Sequence, residues 1–134
     1  MCTHTQTDLN PAAQRTLTLA ALAGALAVMT GAFGAHALKA TLTPDLLVVW
    51  QTAVQYHFWH ALALGLIGVL MLHRPDSRAL RVAGWLMVVG LLLFSGSLYA
   101  LALTGVRGLG AVTPLGGLAF IGGWLALAWA VWRS

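Results

Sequence analysis

The sequence predicts an all-α membrane protein, with four transmembrane helices in a compact bundle and both termini in the cytoplasm. Hydrophobic residues make up 60% of its 134 residues and charged residues only 7%, and the mean hydropathy is +0.85. Such a chain has more apolar surface than a soluble core of this size can bury. Four long apolar segments are separated by short polar or glycine-rich breaks, and arginines gather at one end of them.

The second apolar segment, 44–72, combines membrane-spanning length with a concentrated set of polar side chains. Pro44 suits the first turn of a helix capped by Thr43, and the segment would extend roughly 43 Å as one helix, against a hydrocarbon core of about 30 Å. Its second half, from Ala61 onward, is apolar and can face lipid. The first half contains five polar residues that need partners within a membrane: Gln51, Gln55, Tyr56, His57 and His60.

The other three spans are predicted at 16–38, 81–104 and 114–132, so that residues 16–134 form one transmembrane domain behind a polar tail, 1–15. The first apolar segment is longer than the apolar region of a signal peptide, which has about 7–15 residues, so we expect a retained helix. The tail is expected to be mobile. Its Cys2 is the single cysteine, which excludes an intramolecular disulfide.

Positive charge is distributed unequally between the two ends of the predicted bundle. With four spans, the termini and the loop His73–Arg78 share one side, which holds five arginines: Arg15, Arg74, Arg78, Arg81 and Arg133. The other side holds Lys39 and Arg107. Because lysine and arginine concentrate in cytoplasmic segments, both termini are predicted to be cytoplasmic. The positive charge is therefore attributed to orientation in the bilayer, and no nucleic-acid partner is predicted.

Polar residues cluster at similar depths in the half of the bundle far from the termini. Nine of them form a candidate polar pocket for a ligand: His36, Gln51, Gln55, Tyr56, His60, Ser95, Ser97, Tyr99 and Thr113. Unpaired polar groups are costly in hydrocarbon, so these side chains should face the interior. We expect His60 to bond Thr30, Ser95 or Ser97 on the first or third span. The simpler alternative is that the set only forms interhelical hydrogen bonds.

Catalytic and metal-binding patterns are weak in this sequence. His57 and His60 lie three residues apart, but a zinc site needs three or four ligands and no carboxylate lies nearby. Haem ligation by His60 with His36 or His57, and a Ser95 or Ser97 nucleophile with His60 as base, are alternatives that depth alone allows. No cofactor or metal is predicted, and the question of an enzyme is left open with a non-enzymatic role favoured.

Three stretches resemble the YgdD/YwdK-like family of small bacterial inner-membrane proteins, a family of unknown function with relatives in eukaryotes. They are GAFGAHALKATLTPDLLVVWQTAVQYHFWHALAL, FSGSLYALALTG and LGAVTPLGGLAFIGGW, within 31–129. The family motifs fall on Gly31, Gly34, His36, Gln51, Tyr56, His60, Ser95, Gly96, Ser97, Tyr99, Thr113, Pro114 and Gly116. The resemblance implies four spans in the bacterial plasma membrane and no particular activity.

Together these features predict an integral inner-membrane protein that binds a small or amphipathic molecule in its outer-half pocket, or assists a partner membrane protein. Stripes of small residues on the first and fourth spans allow close helix packing, either within the chain or in a homo-oligomer. An oligomeric transporter or channel component is an alternative from another class. The nearly all-apolar inner half disfavours it because it offers no continuous polar path.

Overall fold

The chain folds into four helical segments, each long and apolar enough to cross a membrane. A computed structural model describes residues 8–134. The elements are α1 (Pro11–His36) with a 3-10 turn at Leu38–Ala40, α2 (Pro44–His73), α3 (Arg78–Gly90), a π-helical segment at Leu91–Ser95, α4 (Gly96–Thr104), a 3-10 turn at Arg107–Ala111, and α5 (Thr113–Trp132). The predicted all-α fold with four spans is confirmed. The side of the membrane on which the termini lie stays a prediction.

Helix α1 begins earlier than the sequence predicted. Asn10 is its N-cap, and the Asn10 side chain accepts a hydrogen bond of 2.9 Å from the backbone N–H of Ala12. Pro11 at the first helical position loses no hydrogen bond, since that N–H would have no partner in the helix. The helix therefore takes up part of the polar tail predicted at 1–15. The expected mobility of Met1–Thr7, and the role of Cys2, lie outside the described residues.

Helix α2 is tied to its neighbours at both ends. Thr43 occupies the N-cap position, but its hydroxyl donates to the Asp45 carboxylate at 2.6 Å instead of capping the backbone. Asp45 in turn pairs with Arg107, 3.1 Å away in the turn before α5, and both side chains are exposed. At the other end, Arg74 donates to the carbonyl of Ala130 at 2.5 Å. These contacts hold the second and fourth spans in register.

The third span runs unbroken from Arg78 to Thr104 but changes helix type in its middle. Over Leu91–Ser95 the backbone is π-helical, and the N–H of Gly96 bonds the carbonyl of Leu91. Here the span approaches α5 closely, since a β-carbon added to Gly116 would collide with the backbone of Phe94. A π-bulge rotates the following residues relative to the preceding face. It therefore lets Ser95 and Ser97 point inward together.

Helix α2 lies at the centre of the bundle. It packs against α1, α3, the π-helical segment and α4, while α3 packs mainly along α5. The main apolar core lies at the end of the bundle that carries the termini and consists largely of Leu64, Ile67, Met71, Leu80, Met87, Phe120 and Leu127. A smaller core of Leu38, Trp50 and Ala102 lies at the opposite end. Large apolar side chains such as Trp85 and Leu92, each 70% exposed, cover the outside and suit contact with lipid.

Candidate functional site

The nine predicted site residues do not form a single pocket. Tyr56, His60, Ser95, Ser97, Tyr99 and Thr113 are buried or half-buried between helices. Gln51 and Gln55 are exposed and line an open groove, and His36 is exposed at the end of α1. The structure therefore separates an interior polar group from a surface pair of glutamines.

Tyr99 joins three spans through its hydroxyl group. The hydroxyl lies 3.0 Å from Thr30 Oγ1 on α1 and 2.9 Å from His57 Nδ1 on α2. The ring of Tyr99 also packs against Trp50, with centroids 4.6 Å apart, and the Trp50 indole N–H donates to the carbonyl of Thr30 at 2.9 Å. This cluster fixes the C-terminal half of α1 against α2 and α4.

His60 is buried, as predicted, but its predicted partners were wrong. Its Nδ1 lies 2.7 Å from the carbonyl of Tyr56, to which it can only donate, and its Nε2 accepts from the Trp124 indole N–H at 3.2 Å. The imidazole is therefore neutral, with its proton on Nδ1. Its ring stacks on Phe120 at a centroid distance of 3.5 Å. The side-chain partner of His60 is therefore Trp124 on α5, not a residue of the first or third span.

The two serines near the π-helical segment are also engaged. Ser95 donates to the carbonyl of Ala53 on α2 at 2.9 Å. Ser97 lies 2.7 Å from the hydroxyl of Thr113 at the start of α5 and 3.0 Å from the carbonyl of Phe94. Neither serine bonds a histidine within residues 8–134, so the serine–histidine pair considered from depth is not assembled.

These contacts give the interior polar residues a structural role. Within the part of the chain that the structure describes, no buried side-chain nitrogen or oxygen lacks a hydrogen-bond partner. Both ring nitrogens of His60 are in use, so a metal or haem iron would have to displace one of its bonds. The interior set matches the alternative of interhelical hydrogen bonds, each worth about 0.6 kcal/mol on average in membrane proteins.

A groove of about 400 Å³ opens between α1 and α2 at the end of the bundle away from the termini. We call it the glutamine groove. It is open to the surface and is lined by Gly31, Gly34, Ala35, Val48, Trp50, Gln51, Thr52, Val54 and Gln55. It thus contains two of the predicted site residues together with apolar walls from both helices.

Both glutamines of the groove are exposed, and neither carboxamide has a hydrogen-bond partner among residues 8–134. They lie one helical turn apart on α2. Counted at 1.5 Å per residue, Gln55 lies about 5 Å and Gln51 about 11 Å from the midpoint of α2. A hydrocarbon core of about 30 Å centred on this helix would include both. On that placement, the two carboxamides present unpaired donors and acceptors within the hydrocarbon region.

Gly34 lets the wall of the groove form. The Trp50 indole lies directly on α1 at this position, and a β-carbon built on Gly34 would be 2.5 Å from its Nε1. The missing side chain leaves Trp50 buried, with 4% of its surface exposed, and free to bond Thr30. Trp50 thus forms the floor of the groove between the backbone of α1 and the glutamine face of α2.

Sequence reasoning gave no role to Trp50, Phe120 or Trp124, which shape the environment of His60 and of the groove. Membrane tryptophans ordinarily lie at the interface. Trp124 lies near the middle of α5 instead, 11 residues after Thr113. Its side chain is 45% exposed, and its indole N–H reaches inward to His60. A tryptophan at that depth can signal such a hydrogen bond, and this signal was available in the sequence.

Residues 30–117 match a family described as a protein of unknown function, DUF423. The chain belongs to this family. Among its relatives, the UPF0382 membrane protein of Staphylococcus haemolyticus is 50% identical over 109 residues, which cover 81% of this chain and 88% of the relative. YwdK of Bacillus subtilis, also a UPF0382 membrane protein, is 48% identical over 109 residues, covering 81% and 89%. The expected relation to YwdK-like proteins is confirmed.

The family match includes both the interior polar group and the glutamine groove. A UPF0382 membrane protein from Staphylococcus aureus is 45% identical over 115 residues, which cover 86% of this chain and 93% of the relative. No solved structure matches the chain. The family of membrane proteins and the four apolar helices identify the chain as an integral membrane protein in contact with the lipid bilayer.

Proposed function

We propose that this protein binds an amphipathic molecule in the glutamine groove, with the carboxamides of Gln51 and Gln55 bonded to its polar part. The observation that carries the proposal is the pair of unpaired carboxamides at membrane depth. The role is non-enzymatic, and the occupant enters sideways from the leaflet that covers the end of the bundle away from the termini.

The cost of exposing an amide to hydrocarbon supports this proposal. An amide without a compensating hydrogen bond costs roughly 2–7 kcal/mol in an apolar medium. The buried side-chain nitrogens and oxygens of residues 8–134 avoid that cost by bonding one another or the backbone. Gln51 and Gln55 have no such partner within residues 8–134. A ligand with hydroxyl, amide or phosphoester groups would supply it.

The shape of the groove also suits an amphipathic occupant. Polar atoms lie along its α2 edge, at Gln51 and Gln55, while Ala35, Val48 and Val54 form apolar walls. Among the described residues that line the groove, Thr52 supplies the one hydroxyl, and it donates to the carbonyl of Val48 within its own helix at 3.0 Å. The free hydrogen-bonding capacity of the groove is therefore concentrated on the two carboxamides.

A second candidate is that the groove receives a transmembrane helix, from a partner membrane protein or a second copy of this chain. Gly31 and Ala35 are small and lie on the groove wall, and glutamine side chains can bond across membrane helices. This reading makes the protein an accessory to another membrane protein. It predicts a bound polypeptide where the first proposal predicts a small molecule.

We further propose that the protein lies in the bacterial inner membrane with both termini in the cytoplasm. The five arginines at the end with the termini, against Lys39 and Arg107 at the other, support this orientation. Arg107 is moreover paired with Asp45. The glutamine groove then opens to the outer leaflet.

The test compares molecules retained by the wild type and by a double variant, Gln51→Met with Gln55→Met, after gentle extraction from native membranes. Methionine keeps the length of glutamine but removes its hydrogen bonds. Two lost hydrogen bonds of about 1 kcal/mol each would weaken binding about thirtyfold. Native mass spectrometry should show a bound small molecule in the wild type and its loss from the double variant.

The matched control is Thr52→Val, which removes a hydroxyl from the same groove that is already bonded within α2. It should retain the ligand. Equal retention by the wild type and the double variant would refute the proposal. A retained polypeptide, or a dimer lost on the double substitution, would favour the helix-docking candidate instead.

A further inference from the structure

A second groove, of about 340 Å³, lies at the opposite end of the bundle between α1 and α3. Helices α1 and α3 both flank α2 but make little direct contact with each other. Leu64 and Met71 of α2 contribute to the lining between them, and Arg15 and Arg81 contribute from the two flanking helices. We call it the arginine groove. It is independent of the glutamine groove and shares no residue with it.

We propose that the arginine groove binds one anionic phospholipid of the adjacent leaflet, with its phosphate held between Arg15 and Arg81 and an acyl chain lying along the groove. Both arginines are about one helical turn from the start of their helices, roughly 6 Å along α1 and 5 Å along α3. Both therefore lie near the same end of the bundle, where we expect the headgroups of the adjacent leaflet.

Charge complementarity identifies the occupant. Arg15 has no side-chain hydrogen-bond partner within residues 8–134, and Arg81 uses one N–H of its guanidinium to bond the carbonyl of Pro75 at 3.3 Å. Neither forms an ion pair with Asp8 or Asp76, the acids described at this end. Two guanidinium groups present several N–H donors in a geometry that matches phosphate oxygens.

The helix ends add to this positive potential. Both α1 and α3 begin at this end, and neither has an acidic residue in its first turn. Helix N-termini carry partial positive charge that favours anions. Basic pockets between transmembrane helices are a recognised kind of site for anionic lipid headgroups. The partial positive charges of the two helix N-termini therefore add to the attraction of Arg15 and Arg81 for an anion.

The rest of the groove is suited to an acyl chain. Beyond the arginines its lining is mostly apolar, with Leu19, Gly84 and Val88 on the flanking helices. The Thr16 hydroxyl, which also lies in the lining, already donates to the carbonyl of Ala12 at 2.9 Å. Trp85, which is 70% exposed, forms part of one wall. A chain lying here would replace contact with bulk lipid by a fixed apolar track leading away from the phosphate.

The test measures binding of phosphatidylglycerol to delipidated protein in neutral detergent by native mass spectrometry. Zwitterionic phosphatidylcholine with the same acyl chains provides the comparison. The wild type should retain one phosphatidylglycerol molecule in preference to phosphatidylcholine. Replacing Arg15→Gln and Arg81→Gln together should weaken phosphatidylglycerol binding at least about tenfold, which corresponds to about 1.4 kcal/mol. The binding of phosphatidylcholine should not change.

The control variant, Arg78→Gln with Arg133→Gln, removes the same charge from the same end but outside the groove. Its affinity for phosphatidylglycerol should stay within about twofold of the wild-type affinity. That change is well below the tenfold loss, about 1.4 kcal/mol, expected for the variant without Arg15 and Arg81. Equal weakening in both double variants would show a diffuse charge effect and overturn the site. Equal binding of the two lipids by the wild type would also overturn it.

A second measurement does not depend on the stability of the arginine variants. Phosphatidylglycerol with brominated acyl chains quenches tryptophan fluorescence on contact, and Trp85 is the tryptophan of this groove. In the wild type, saturable quenching should appear at about one lipid per protein. The variant Trp85→Phe should lose that saturable component. Unchanged quenching in this variant would contradict an acyl chain in the arginine groove.

Discussion

Replacing Gly34 by alanine should weaken the attachment of α1 to α2. The new methyl group would lie 2.5 Å from Trp50 Nε1 and 2.6 Å from its Cδ1. These atoms belong to a rigid, buried ring that also bonds Thr30, so they cannot move aside without losing that hydrogen bond. Overpacking of this kind typically costs about 1–3 kcal/mol. We therefore expect Gly34→Ala to destabilise the folded bundle by that amount.

The matched control is Gly24→Ala on the same helix, where an added β-carbon meets no atom within 4 Å. Alanine is the better helix former by about 1 kcal/mol in water. In a membrane the denatured state keeps much of its helix, so the gain should be smaller. Gly34→Ala should therefore lower the free energy of unfolding and Gly24→Ala should raise it slightly, although the chemical change is identical.

Reversible unfolding in mixed detergent micelles would measure both variants. A second comparison introduces Gly34→Ala into a Trp50→Leu background, where the clashing ring is absent. The destabilisation caused by Gly34→Ala should then largely disappear, because the added methyl group no longer meets the indole ring. The two substitutions should therefore be strongly non-additive, as is usual for residues in contact. A Gly34→Ala protein as stable as Gly24→Ala, or an equal cost with and without Trp50, would refute the proposed contact.

Three further outcomes follow from the interior bonds and the charge distribution. Trp124→Phe leaves the Nε2 acceptor of His60 buried without its donor and should cost about 1–3 kcal/mol, whereas Trp132→Phe at an exposed position should change stability by less than about 0.5 kcal/mol. A double-mutant cycle with Ser97→Ala and Thr113→Val should give a coupling near 0.6 kcal/mol; zero coupling would contradict their hydrogen bond. Alkaline phosphatase fused to the carboxyl terminus should be inactive, and fused in the loop between the first two spans it should be active; the reverse pattern would overturn the orientation.

The class and the four spans could be predicted because they depend on quantities that a sequence carries directly. Membrane thickness sets the length of an apolar segment, and Pro44, Pro75 and Pro114 mark where helices begin or cannot continue. Helix ends were less predictable. Helix α1 starts at Pro11 because Asn10 caps it, and that local bond outweighs the polar composition of the preceding tail.

The pairing of the polar residues could be predicted only in part. The cost of an unpaired imidazole in lipid correctly indicated that His60 is buried. Its partners were chosen by depth along each span, and depth does not give the rotation of one helix about its axis. The π-helical segment Leu91–Ser95 changes that rotation within the third span, and the distance between helices depends on contacts such as that of Gly116 with Phe94. His60 therefore meets Trp124 of α5, not a residue of the first or third span.

The sequence also did not predict that the glutamines of the groove would lie apart from the interior polar residues. All the polar residues were expected to face one another because unpaired groups are costly in lipid. Gln51 and Gln55 lie on the opposite side of α2 from the buried His57 and His60 bonds, and they remain exposed. The binding proposal rests on these two residues because they have no hydrogen-bond partner within residues 8–134, although an unpaired amide is costly in lipid.

The most direct test of that proposal is a high-resolution structure of the protein in native lipid. The account predicts an ordered, non-protein molecule in the glutamine groove, with polar atoms about 2.7–3.2 Å from the carboxamides of both Gln51 and Gln55. Both carboxamides bonded to side chains of the same chain, with the groove closed and no room for a bound molecule, would contradict it.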